Sequence, residues 1–165
     1  MTITAAPRQV ADGAVRLALR LAFRLLKLWW RWRRPRYAGA VVALWCRGRI
    51  LLVEHSYRPG WGMPGGGVGR DEAPQAAARR EVAEELGLRL APEQLSLACI
   101  VEDDWLGRRE TVHIYEAKLD EEPAIVIDNR EIIAAEFVAA EAAARRDLPP
   151  HAYQYLGQRS AATPV

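Results

Sequence analysis

Apolar and polar positions divide the chain into segments of different period. From Ala14 to Trp32, "AVRLALRLAFRLLKLWWRW" sets a base every three or four residues in an otherwise apolar run, which is helical spacing. On a helical wheel Arg16, Arg20, Arg24, Lys27 and Arg31 share an arc of about 80°, and leucines, Phe23, Trp29, Trp30 and Trp32 take almost all the rest. That apolar face is wider than a surface helix of a globular domain normally shows. Arg34-Pro35 predicts where the helix ends. Next, "YAGAVVALWC" and "ILLVEHSY" flank "RGR" and predict a hairpin. "RPGWGMPGGGVG" predicts a loop without regular structure. Pro74 to Leu86 predicts a helix with Pro in its first turn and Gly87 as its stop. "LSLACIVEDDW" and "RETVHIYEAKL" around "LGR" predict a second hairpin, "DEEPA" a turn and "EIIAAEFV" a last strand. "AEAAARRD" and "HAYQYLGQR" predict short helices separated by Pro149-Pro150. Strands on both sides of a central helix predict an α+β chain, a mixed sheet covered by helices rather than a doubly wound parallel one.

Charge adds a division that hydropathy alone does not give. The 165 residues suit one domain, and a half hydrophobic, quarter charged composition is that of a globular chain. The net charge of +2 conceals an asymmetry: residues 1–37 hold nine bases and the single acid Asp12, leaving 14 bases and 20 acids to the remainder. We therefore read residues 1–36 as a basic amphipathic arm, 37–158 as an acidic domain and 159–165 as a C-terminal tail. Spanning a bilayer would cost the arm's three central charges on the order of 8–10 kcal/mol, and seven Leu or Phe return only about 2–4. Lying in an anionic membrane interface through residues 14–34 avoids that cost, with bases toward headgroups while Leu and Trp sink. Packing on the domain or on a second subunit, an Arg-rich presequence, and RNA binding through Arg and Trp remain open alternatives, nucleic acid being the weaker. Cys46 and Cys99 lie in apolar runs with no CxxC or His cluster. They read as core thiols and favour a reducing, cytoplasmic compartment, at the inner face of a membrane if the arm is interfacial.

The helix over 74–86 carries the candidate chemistry. Glu81, Glu84 and Glu85 project from one face within about 100°, while Ala78, Val82 and Leu86 take a neighbouring face that can pack on the sheet. Like charges at i,i+4 weaken a helix by a few tenths of a kcal/mol. Oxygen-only ligands of this kind select Mg²⁺ or Mn²⁺, and a divalent ion would turn repulsion into coordination. A solvated acidic face is the plainer alternative. The glycines Gly65, Gly66 and Gly67 ahead of the helix let the chain approach a phosphate or metal closely, yet neither a P-loop nor a dinucleotide-binding turn is present.

Gly66, Glu72, Arg80, Glu81, Val82, Glu84, Glu85, Gly87 and Leu88 fit G-x5-E-x7-R-E-U-x-E-E-x-G-U, with U apolar, and on these residues the chain resembles the Nudix hydrolase family. "WGMPGGG" resembles the family's lead-in, and the wider likeness runs from about Tyr37 to Gln158, leaving the arm outside. The resemblance implies an α/β/α sandwich around a mixed sheet. It also implies hydrolysis of a pyrophosphate in a nucleoside diphosphate linked to another moiety, with Mg²⁺ or Mn²⁺. Carried over by position, Glu81, Glu84 and Glu85 would hold the metal together with the backbone oxygen of Gly66. Arg80 would orient the glutamates, Glu72 would brace the loop–helix–loop, and Glu131 would match the acid before the last strand, as further ligand or base. The physics agrees: cations neutralise a diphosphate against an attacking water, and a carboxylate can take the proton. No Ser-His-Asp or Cys-His set is evident among His55, His113 and His151.

For substrate contact the sequence offers Arg58 and Trp61 in the glycine loop, Trp105 with Arg108 or Arg109 at the second hairpin's tip, and Arg130 beside Glu131. Loop packing and solvated turn charges are the alternatives at each. His113 and Tyr115 read as a packed strand face, and Glu102, Asp103 and Asp104 as a solvated strand end. Candidate substrates are sugar nucleotides, ADP-ribose-like molecules, nucleoside triphosphates and, for an interfacial arm, a lipid diphosphate. The rival functions are a non-catalytic nucleotide-binding Nudix-like module and an RNA 5′-end pyrophosphohydrolase gripping RNA with the arm. Nudix-type domains often pair, so a homodimer is a further expectation.

Overall fold

The structure, a computed structural model, describes residues 2–3 and 11–162. Its elements in chain order are β1 (Thr2–Ile3), α1 (Ala11–Arg33), β2 (Arg36–Cys46), β3 (Arg49–His55), β4 (Trp61–Gly62), β5 (Gly65–Gly67), α2 (Pro74–Leu86), a 3₁₀ turn (Pro92–Gln94), β6 (Ser96–Trp105), β7 (Arg108–Leu119), β8 (Ile132–Ala139), α3 (Ala140–Ala143) and α4 (Pro150–Ala162). The sheet runs β1-β8-β3-β2-β7-β6, with β4 added to β3 and β5 to β2. β2 and β7 are parallel from Arg36↔Arg109 to Cys46↔Leu119, and the other pairs are antiparallel, so the sheet is mixed.

Side-chain alternation along β2 divides the core in two. Ala40, Val42, Leu44 and Cys46 face a layer closed by α2 through Ala77, Ala78, Val82 and Leu86. Val41, Ala43 and Trp45 face the opposite layer, closed by Ala143 of α3 and by Ala152, Tyr155 and Leu156 of α4. This is an α/β/α sandwich around a mixed sheet, as the sequence predicts. α4 continues to Ala162, so the expected boundary at residue 159 falls inside a helix.

Two local features differ from the sequence reading. The glycine-rich stretch is not free of regular structure: β4 pairs with β3, and β5 pairs with β2 at Gly39↔Gly67, Ala40↔Gly66 and Val41↔Gly65. Only glycine allows this approach, since a Cβ at Gly65 would lie 2.3 Å from the Ala40 carbonyl oxygen and its φ is +140°. Second, the first hairpin pairs only at Trp45↔Ile50 and Cys46↔Arg49. Beyond that the strands part, β5 taking the freed edge of β2 and β4 that of β3, while β8 pairs along the other edge of β3.

α1 lies against the domain. Its basic stripe turns inward more than the sequence predicts: Arg16 donates to the Asn129 carbonyl (2.9 Å) and side-chain oxygen (2.6 Å), and Arg20 donates to the Ser56 carbonyl (2.8 Å). Asp12 pairs with Arg130 at 3.0 Å. Trp30 is buried with the Arg108 guanidinium 3.8 Å from its ring centre, and Tyr37 covers the same guanidinium at 3.5 Å. The bases find acceptors there, which explains their inward turn. The helix ends at Arg33, and Arg34, at φ +43°, donates to the Trp30 carbonyl at 2.8 Å, so the stop falls where Arg34-Pro35 predicts. Among the described residues no helix is long and apolar enough to cross a membrane.

Replacing Gly65 with Ala should cost roughly 2–4 kcal/mol, combining backbone strain with a clash against β2. Urea unfolding of Gly65→Ala measures this, and a midpoint equal to that of the parent chain would contradict the close approach.

Candidate functional site

The site begins with the way α2 leaves the glycine strand. Pro74 at the first turn and Gly87 in the left-handed conformation at the end (φ 67°) bound a helix whose buried face is Ala77, Ala78, Val82, Leu86 and Glu85. Glu85 is the exception on that face, a carboxyl 6% exposed among apolar neighbours. One of its oxygens accepts the Gly65 N–H at 2.9 Å, and the other lies 3.3 Å from His55 Nε2. Burial pushes its carboxyl up to about 8, with Asp128 and Glu84 adding to the rise while Gly65 and Arg58 oppose it. His55 is driven down to about 3, by burial first and by Arg58 next. The contact is therefore not an ion pair near neutral pH.

Arg80 organises the acids on the exposed side. Its Nε and one terminal nitrogen fork onto the Glu72 carboxylate at 2.9 and 3.0 Å. The same nitrogen donates to the Gly67 carbonyl at 3.1 Å. The other reaches Glu81 at 2.8 Å and Glu84 at 3.2 Å. Glu72 also accepts the Gly69 N–H at 3.0 Å, and the Arg80 hydrogen bonds hold its carboxyl down at about 2. One guanidinium thus ties loop and helix together.

A cleft of about 780 Å³ opens beside this assembly. Gly65, Gly66, Gly67, Glu131 and Arg58 line it together with Trp105, Arg108 and His151. α1 supplies a further wall through Leu19, Ala22, Phe23, Leu26, Trp29 and Trp30. Glu131 is pushed up by burial and by Glu85, and bonds Tyr57. Arg58 lies 5.9 Å above the Trp105 ring.

The residues present fit a divalent ion on the chemistry of the donor set. A Cβ at Gly66 would meet the Glu81 carboxyl at 2.5 Å, so glycine alone leaves the backbone open to that acid. Burial first raises the proton affinity of Glu81, Glu85 and Glu131, and nearby acids add to it, Glu85 and Glu84 at Glu81, Asp128 and Glu84 at Glu85, Glu85 and Glu81 at Glu131, the mark of a site short of positive charge. Among the described residues no three His, Cys, Asp or Glu side chains already converge on a common point, because Glu81 and Glu84 are turned onto Arg80.

Of the sequence-predicted substrate residues, Arg58 and Trp105 line the cleft, and Trp61 and Arg130 do not. Trp61 packs in the layer of α3 and α4 with the Arg146 guanidinium 4.5 Å from its ring, because β4 turns it to that face. Arg130 is drawn away to Asp12 of α1. His113 and Tyr115 lie on β7, Tyr115 being packed in the α2 layer, and Glu102 to Asp104 form a hollow with Arg36 and Arg109 at a strand end. The sequence reading missed His55 and the α1 wall. His55 could have been found from alternation: Leu51 and Val53 face α2, and His55 is next on that side.

The family model for the NUDIX domain matches residues 33–157, and the chain belongs to this family. A Mycobacterium tuberculosis protein provisionally named 8-oxo-dGTP diphosphatase 2 is 46% identical over 59 residues, which span 33% of this chain and 39% of that one. The chain therefore aligns with about two fifths of that curated relative's length. The MutT NUDIX hydrolase of Burkholderia pseudomallei superposes with a TM-score of 0.65 at 27% identity, covering 74% of this chain and 97% of that one. The E. coli dihydroneopterin triphosphate pyrophosphohydrolase superposes with a TM-score of 0.67 at 25% identity, covering 76% and 96%. α1 begins well before the region matched by the family model.

His151 gives the cleft a measurable pH response. Burial first, then Arg58 and Arg108, hold it down at about 4 against 6.5 for a free imidazole. Between those values the unfolded chain takes up a proton that the fold refuses, so stability declines as pH falls below about 6.5, at up to ~1.4 kcal/mol per pH unit. His151→Gln should flatten that decline in urea unfolding between pH 7 and 5; an unaltered slope would place the effect elsewhere.

Proposed function

We propose that this chain is a metal-dependent pyrophosphohydrolase, splitting the phosphoanhydride of a nucleoside diphosphate linked to another moiety. In this reading the catalytic domain begins at residue 37 and includes α4, and residues 1–36 are an added arm. The observation that carries it is the Arg80 fork, which sets Glu81 and Glu84 beside buried Glu85 and the Gly65–Gly67 strand at one end of the cleft. Glu81, Glu84, Glu85 and the Gly66 carbonyl would hold Mg²⁺ or Mn²⁺. That ion supplies charge neutralisation at the diphosphate and a lowered pKa for water. Arg80 keeps the acids in register, and Glu72 keeps Arg80. Glu131, its proton affinity raised by burial, accepts the proton of the attacking water. Water's oxygen bonds to phosphorus, the bridging P–O bond breaks, and the leaving phosphate carries away the electron pair. Arg58 offers a fixed positive charge in the same cleft. Glu85→Gln should reduce phosphoanhydride hydrolysis by three or more orders of magnitude with the fold retained by circular dichroism. EDTA should abolish the parent's activity, and Mg²⁺ or Mn²⁺ should restore it. A fully active variant would refute the assignment. Tight nucleotide binding without product release would instead favour a non-catalytic module.

A specific observation favours a second reading, for α1. Leu17, Leu21, Leu25, Leu28 and Trp32 point away from the domain, each 50–79% exposed. Arg24, Arg33, Arg34 and Arg36 are exposed beside them, and the helix's only acid, Asp12, is buried. An apolar stripe bordered by cations matches an anionic lipid surface. The intact chain should float with phosphatidylglycerol vesicles, and Leu21→Glu with Leu25→Glu should stay at the bottom of the gradient. Absence of flotation by the parent, with a dimer by light scattering or salt-sensitive RNA binding in its place, would overturn the lipid reading.

A further inference from the structure

We infer that the moiety taken into the cleft with the diphosphate is an apolar chain, lying along the inner face of α1. This rests on the pyrophosphohydrolase reading, and it gives the substrate a chemical class that the family alone does not.

The cleft has two chemically different parts. Its polar part holds the glycine strand, Glu131 and Arg58. The α1 wall of Leu19, Ala22, Phe23, Leu26, Trp29 and Trp30 carries no polar atom except indole N–H groups. A nucleobase is distinguished by donors and acceptors matched to its edge. Among the described residues no Ser, Thr, Asn or Gln side chain lines the cleft, and the polar groups on Tyr37, His55, Tyr57, Glu110 and His151 belong to the domain rather than to α1. Arg108, the base closest to the aromatic wall, is already committed: Trp30 and Tyr37 cover both its faces, and its Nε donates to Glu110 at 2.5 Å. Phe23 is held in place too, 6.0 Å from the Trp30 ring and 5.2 Å from Tyr57. The wall is therefore preformed and apolar, suited to methylene groups rather than to a hydrogen-bonding ring. It also separates the cleft from the outward leucines of the same helix, so an amphiphile leaving a lipid surface meets apolar side chains on either side of α1.

Each methylene buried should raise affinity roughly fourfold. The test uses the full chain, with Mg²⁺, and alkyl methylenebisphosphonates, whose P–C–P bridge is not hydrolysed. Methyl, pentyl and decyl analogues are titrated by calorimetry below their aggregation concentrations, beside a nucleoside methylenebisphosphonate with and without a decyl ester. We expect affinity to rise at least tenfold from methyl to pentyl and again to decyl, and to rise with the decyl ester on the nucleoside analogue. The first result alone indicates a simple alkyl diphosphate, and both together a nucleotide-linked lipid. Leu26→Glu and, separately, Ala22→Glu, both at exposed positions, should remove most of the chain-length dependence while the unfolding midpoint stays near the parent's. Affinity independent of chain length, or dependence untouched in both variants, overturns the inference. Phosphate release from hydrolysable nucleotide substrates is measured in parallel. Release without chain-length dependence ends this inference and leaves the hydrolase reading intact; chain-length dependence with no release from any diphosphate ends the hydrolase reading and leaves the ligand class standing.

Discussion

One guanidinium governs where the acids of this protein stand. Arg80 is shared by Glu72, Glu81, Glu84 and the Gly67 carbonyl, so a single side chain fixes the loop, the glycine strand and the acidic helix relative to one another. It does not reach Glu85, which lies on the buried side of the same helix between the Gly65 N–H and His55 Nε2. Arg80 is about two fifths exposed, so each of its surface pairs is worth little in stability. Its consequence is positional. By occupying Glu72 with two parallel hydrogen bonds it leaves one nitrogen for two glutamates, and acidic groups remain in excess around Glu85 and Glu131, whose carboxyls are pushed up by burial first and then by neighbouring acids.

That excess explains why the glycines matter. Gly65 lets the strand touch β2, and Gly66 leaves room for the Glu81 carboxyl against the backbone. A side chain at either place would push the acids away from the strand and relieve the repulsion cheaply. The fold instead holds them in contact with a closely approaching backbone, where a cation is the natural counter-charge.

Much of this was legible in the sequence because it is local. The spacing from Gly66 to Leu88 fixes one helix face and its loop, and the alternation in the 37–46 and 109–119 runs fixes which residues face which layer. What was not legible depends on partners distant in the chain. β2 and β7 are parallel neighbours with no short turn to announce them. β5 is a strand only because β2 accepts it, and its composition signals a loop. Trp61 reads as a site residue until its two-residue strand is paired with β3, which turns it to the other layer. Arg130 reads as a phosphate contact until Asp12, 118 residues away, takes it.

α1 is the sharpest case, because its sequence permits more than one docking. A basic stripe crosses an apolar cylinder, so any face except the stripe could be buried with similar gain. The domain settles the choice with backbone oxygens: the Ser56 and Asn129 carbonyls accept from Arg20 and Arg16, and Arg108 slots between Trp30 and Tyr37. Hydrogen bonds to charged donors contribute about 1.5–3 kcal/mol each where they are shielded, and they are directional, whereas apolar burial is not. Docking through the edge of the stripe necessarily leaves two apolar sectors uncovered by the domain's core, one turned into the cleft and one turned outward. An ordinary surface helix needs neither. The apolar width seen in the sequence is thus not surplus core but two separate surfaces on one helix.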